Sequence, residues 1–186
     1  MRLNKNNALN RRFPTQLKDI TIEDFLNIEL IKDTFKDENK ITKEVLKYYK
    51  LENESIKEAS LKLAKLGEIL QTEPKFVPTF KHNGVEYGFI PNFDKLTTGE
   101  FIDLDEYSKD KNKIHNVMAI LYRPITQKYK NLYQIEKYES SIKYAETLKS
   151  ASIEYYLGAM VFFLNISKKL VDDSLIYINR TMKETK

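Results

Sequence analysis

Six carboxylates crowd into one short stretch of this chain: Asp94, Glu100, Asp103, Asp105, Glu106 and Asp110. Where two such groups converge they hold Mg²⁺ or work as an acid–base pair. Asp103-Leu104-Asp105 opens like a calcium loop. The sixth position counted from Asp103 is Ser108, however, and the twelfth is Ile114. Such a loop needs glycine and a bidentate glutamate at those places, so the match fails. Thr97-Thr-Gly-Glu100 has the spacing of a capping box, which gives Glu100 a structural use. The remaining acids read as a solvated helical face. No metal and no cofactor is expected.

The other reactive residue types are sparse. The two histidines, His82 and His115, are far apart in sequence and belong to no two-histidine motif; a structural or solvent-facing role is expected of both. Cysteine is absent, which excludes disulfides, thiol nucleophiles and thiolate metal sites. The five glycines, at 67, 84, 88, 99 and 158, form neither a dinucleotide-binding nor a phosphate-loop spacing, and no GxSxG is present. A non-enzymatic chain is expected.

Binding chemistry remains. The formal charge is +4, and residues 1–20 account for all of it: Arg2, Lys5, Arg11, Arg12 and Lys18 against Asp19 give 5 − 1 = +4. The rest of the chain, with 26 basic and 26 acidic residues, is neutral. A duplex-binding domain carries its charge on a folded face, so docking or solvation of the arm is favoured over nucleic acid. The twelve tyrosines suit protein interfaces, where a rigid ring and a polar tip both find use. Base stacking calls for interleaved positive charge; Tyr122-Arg123 and Tyr129-Lys130 are the pairs to watch for it, and a strand or loop surface role is favoured for both.

The elements that must carry these residues are mostly helical, because glycine and proline, five of each, leave few turns. Thr21 reads as an N-cap for a helix to about Lys32, and Ile41, Val45, Leu46 and Tyr49 mark a second helix. Ser55-Ile-Lys-Glu58 is a capping box, followed by Ile56, Ala59, Leu63, Leu66 and Leu70 on one stripe. Asn83-Gly84 within residues 76–90 predicts a β-hairpin with a type I′ turn. A helix from Thr98 to about Tyr107 and one through Ile114–Leu121 follow. Residues 124–137 read as a loop with a short strand at 132–135, and 141–149 as a short helix.

Ser152 then caps the last long helix. Tyr155–Leu164 is apolar around most of its girth, so it must be enclosed by its own fold or by a neighbour. At this length it is half of the ~20 residues that cross a bilayer, and the first residues lack the apolar run of a signal peptide; no membrane segment is expected. The expected fold is mainly α, a helical bundle with a small β-hairpin insertion. Residues 1–12 form a flexible basic arm. Residues 13–186 form one domain, with helices over 21–72, the hairpin over 76–90 and a C-terminal helical part over 97–183. Candidate interface residues are Arg11, Arg12, Tyr122, Arg123, Tyr155, Phe162 and Phe163.

An ordered series of segments resembles a known group. They are Phe13-Pro14 with Asp19-Ile-Thr-Ile-Glu-Asp-Phe25, then Gly84-Val-Glu-Tyr87, Leu96-Thr-Thr-Gly-Glu-Phe-Ile-Asp-Leu104, Met118-Ala-Ile-Leu-Tyr-Arg-Pro124 and Gly158-Ala-Met-Val-Phe-Phe163. Together they are similar to proteins encoded in the structural gene modules of tailed phages, including crAss-like phages, over roughly residues 13–165. The resemblance implies a virion neck, head–tail connector or tail component, or a tail assembly chaperone. It implies homo-oligomers and other phage structural proteins as partners, and a place in the virion or in the host cytoplasm during assembly. It transfers no active-site residue.

Overall fold

A computed structural model describes residues 12–92 and 96–165. Residues 1–11 of the basic arm, Arg11 among them, and the C-terminal part beyond 165 lie outside the described residues. Three helices come first: α1 (Ile22–Thr34), α2 (Glu38–Tyr48) and α3 (Ile56–Leu70). The hairpin β1 (Thr79–His82) and β2 (Val85–Phe89) precedes α4 (Thr98–Ser108) and α5 (Ile114–Leu121). Strands β3 (Tyr122–Tyr129) and β4 (Leu132–Ile135) lead to α6 (Ile142–Leu148). Residues 153–165 form α7.

The helix starts are local chemistry. Thr21, Ser55 and Thr97 each accept from the backbone N–H three residues on, while Asp24, Glu58 and Glu100 reach back to the cap residue's N–H. Each box satisfies two backbone donors that helix geometry would leave open. On α3 the buried residues are Ala59, Leu66 and Ile69, whereas Ile56 at the expected head of the stripe points to solvent.

The expectation of a mainly α bundle with a minor hairpin is overturned. The four strands form one antiparallel sheet in the order β1-β2-β3-β4, so the fold is mixed α and β. The missing strand is β3, which follows α5 with no loop between them. Pro124 ends the helical pattern as expected but does not start a loop. It lies opposite Tyr87 in the ladder, and its carbonyl accepts Glu136 N–H at 2.9 Å.

Alternation along the strands sorts side chains to the two faces of the sheet. Phe80, Tyr87, Phe89 and Tyr122 lie on one face, with Phe80 opposite Tyr87 and Phe89 opposite Tyr122 in the ladders. Helix α7 packs there: Tyr155 stacks on Phe80 at 4.1 Å between ring centroids, and Phe162 stacks on Phe76 at 4.1 Å. Offset and edge contacts of this kind add about 0.5–1.5 kcal/mol per pair beyond simple burial. Gly88 and Arg123 face the other way. Tyr133 of β4 reaches across that face over Gly88, and its hydroxyl donates to Phe89 O at 2.9 Å. A Cβ at Gly88 would lie 2.5 Å from the Tyr133 ring, so only glycine leaves room for this crossing.

A clasp joins the two ends of the described chain. Ile22 N–H donates to Ala151 O at 2.9 Å, Glu23 N–H to Lys149 O at 2.8 Å, and Ile153 N–H to Ile20 O at 2.9 Å. The starts of α1 and α7 are thereby held side by side around the Thr21–Ser152 bridge. Among the described residues, no helix is long and apolar enough to cross a membrane.

Candidate functional site

The carboxylates of the acidic stretch do not converge. Glu100 points inward from the first turn of α4 and meets Arg123 of β3, with Oε1 and Nη2 2.6 Å apart and both side chains buried. Asp103 accepts a hydrogen bond from the Tyr138 hydroxyl. Asp105 pairs with Lys109 on the surface, and Glu106 is exposed. Asp110 caps the 3-10 turn before α5; hydrogen bonds from Asn112 hold its carboxyl below the usual range. Asp94 lies outside the described residues. Among the described residues no three His, Cys, Asp or Glu side chains are placed to share a metal ion.

The histidines are also apart in role. His82 sits at the end of β1, its Nε2 3.1 Å from Thr147 O and 3.0 Å from Ser150 Oγ at the end of α6. His115 is buried in α5, with Nε2 3.8 Å from Glu146 Oε1. Burial, with Lys149 and Lys113 nearby, pushes His115 down to about 4 despite Glu146 and Asp110. It is neutral at physiological pH.

A cleft of about 820 Å³ opens over the second face of the sheet, between Thr97 and Glu100 on one side and Tyr133, Glu136 and Tyr138 on the other. Its floor is the Glu100–Arg123 pair, which cancels its own charge. Arg123 also lies under the Tyr138 ring, with 5.7 Å from guanidinium carbon to ring centroid. The carboxylate and the ring hold the guanidinium between α4 and the sheet, while its buried Nε has no hydrogen-bond partner among the described residues.

Two surfaces leave large apolar side chains exposed together. The first is a groove of about 240 Å³ between α4, α5 and α7, lined by Phe101, Leu104, Val117, Leu121, Met160 and Phe163. Phe101 and Leu164, both lining it, remain 61% and 62% exposed. Asp105 and Ser108 close the groove's polar edge. The second is the β3–β4 hairpin. Its ladder is interrupted by a bulge between Ile125 and Gln127, beyond the last pairing of β3 with β2. From Thr126 to Leu132 every residue is exposed. The tip is the pair Tyr129 and Leu132, directly opposite each other and 72% and 74% exposed.

The residues singled out from the sequence separate accordingly. Tyr122 is fully buried, and its hydroxyl donates to Val77 O at 2.7 Å. Burial pushes that hydroxyl well above the usual tyrosine range. Arg123 is the buried partner of Glu100. Tyr155 and Phe162 pack in the aromatic layer, whereas Phe163 faces the groove. Arg12 is exposed at the first described position. Sequence reasoning missed the hairpin arm with Leu132 at its tip. The available signal was Ile125-Thr-Gln-Lys-Tyr129 and Leu132-Tyr-Gln-Ile135 flanking a two-residue turn, Lys130-Asn131.

The chain matches no protein-family model, and no curated protein or solved structure is significantly similar to it.

Proposed function

We propose that this chain is a non-enzymatic structural protein of a tailed phage, working in the head–tail connector, neck or tail through oligomeric packing. The observation that carries the packing role is the groove between α4, α5 and α7. Large apolar side chains left together at the surface mark contact sites rather than ordinary solvent-facing protein, and Phe101 and Leu164 flank the same apolar cavity. The phage context rests on the ordered segments from Phe13 to Phe163. An assembly chaperone that leaves before the particle matures uses the same surface and is the alternative within this reading.

Light scattering on the purified full chain and mass spectrometry of purified particles test the proposal together. A multimer, with the chain present in particles at fixed stoichiometry, is the expected result. A multimer absent from particles selects the chaperone role. A chain that stays monomeric and binds no other virion protein removes the reading altogether. The basic arm offers a nucleic-acid role, whose mark is DNA binding that weakens steeply with salt and disappears when residues 1–12 are deleted.

A further inference from the structure

Both surfaces expose apolar side chains, and they lie in different places on one molecule. We infer that the tip of the β3–β4 hairpin, Tyr129 and Leu132, seats in the α4–α5–α7 groove of a second copy of this chain. The inference rests on the oligomeric reading above and names its contact.

Shape comes first. The groove has a volume of about 240 Å³. It is lined almost wholly by apolar side chains. The hairpin presents one ring and one branched aliphatic side chain side by side at its end. A ribbon of two strands with both faces in water gains little from its own packing, so this arm is stabilised when its tip is covered.

Charge agrees with shape. Helix α4 carries Glu100, Asp103, Asp105 and Glu106 and no basic residue. With Glu100 neutralised by Arg123 and Asp105 paired with Lys109 just past the helix end, Asp103 and Glu106 still leave the helix negative. The hairpin segment Thr126–Gln134 holds Lys128 and Lys130 and no acid. Lys128 pairs with Glu86 of its own chain. Lys130 lies over the Tyr129 ring, 5.5 Å from its centroid, and travels with the tip toward Asp105 at the groove's edge, where it competes with Lys109 for the carboxylate.

Geometry makes the contact intermolecular. Strand β3 departs at Tyr122, beside the groove residue Leu121, and runs outward for seven residue steps to Tyr129. At about 3.3 Å per residue the tip stands roughly 23 Å along the strand from its own groove. A tip on one patch and a groove on another make a head-to-tail contact, which closes into a ring or propagates as a filament.

The test uses three full-length proteins: wild type, a tip variant (Tyr129→Ser with Leu132→Ser) and a groove variant (Phe101→Asp). All the altered residues are exposed. Size-exclusion chromatography with light scattering should show an assembly for wild type and single 22.0 kDa chains for each variant. Melting temperatures of the isolated chains should match. An equimolar mixture of the two variants retains one intact tip and one intact groove per pair. It should form a species of two chains and nothing larger.

Assembled variants would overturn the inference and leave the oligomeric reading standing. A monomeric wild type would overturn both. Monomeric variants that stay monomeric on mixing would overturn the head-to-tail contact. If a variant fails to fold, Lys130→Glu and Asp105→Lys replace it. Each should weaken assembly about two- to fivefold, the range of exposed ion pairs, and the doubly exchanged chain should recover. Three unchanged affinities would overturn the seating of this tip at this groove.

Discussion

His115 shows what a single buried group asks of its surroundings. Its ordinary value is 6.5, and the fold lowers it to about 4. Between these two values the unfolded chain binds a proton that the folded chain refuses. The contribution of this group is therefore constant above about pH 6.5 and turns against folding as pH drops toward 4, by up to about 3 kcal/mol at 1.36 kcal/mol per unit. The carboxylates of Asp19, Glu58 and Asp110 are themselves held low by hydrogen bonds. Their contributions are lost only as pH falls below the ordinary carboxylate range, so most of the window above it belongs to the histidine. Urea melts across that window should show the decline, and His115→Gln should flatten it. A variant with the same slope as wild type would assign the proton to another group. The Glu100–Arg123 pair lives under a related constraint. Each charge is tolerated in the interior because the other is there, and removing one alone costs far more than removing both.

At the scale of elements, α7 lies flat on the segment before β1 because Gly158 has no side chain. A Cβ there would stand 2.2 Å from the backbone oxygen of Lys75, which has no rotamer through which to escape. Gly158→Ala should destabilise the protein by about 1–2 kcal/mol, since overpacking outweighs the helix propensity gained. Gly67 on α3 has open space around its Cβ position. Gly67→Ala should stabilise by about 0.5–1 kcal/mol. Thermal melts should move in opposite directions, and a shared direction would refute the close-approach argument. The same contrast governs what could be read beforehand. The N-cap at Thr21, the capping boxes at Ser55 and Thr97 and the Asn83-Gly84 turn were legible because each is complete within four residues. Strand β3 was not. Pro124 and the helix immediately before it gave local signals for a stop, and only pairing with Tyr87 across the sheet makes the segment a strand. Glu100 was legible as a cap but not as the partner of Arg123, whose position depends on that same strand.

For the whole molecule, the basic arm and the body have separate electrostatics. Residues 1–12 hold Arg2, Lys5, Arg11 and Arg12 and no acid, so removing them leaves 31 − 4 = 27 basic against 27 acidic residues. The shortened chain should focus near neutrality instead of at about 8.9, and should scatter more light near pH 7, where its net charge vanishes. Equal turbidity for the two chains would show that the arm does not keep the body soluble. The tip and the groove could not be assembled from the sequence, because Phe101, Leu121 and Phe163 come from three helices spread over more than sixty residues. The clasp between the starts of α1 and α7 has a temporal consequence. It ties Ile22 to Ala151 and Ile153 to Ile20, so a chain still being synthesised lacks it until residue 153 has emerged. Helices α1–α3 are by then long since outside, and they wait with apolar faces uncovered. Closing so long a loop costs entropy before any contact repays it. The interval between making α1 and closing its start against residues 149–153 is therefore the time when this protein is most exposed to aggregation during its own birth.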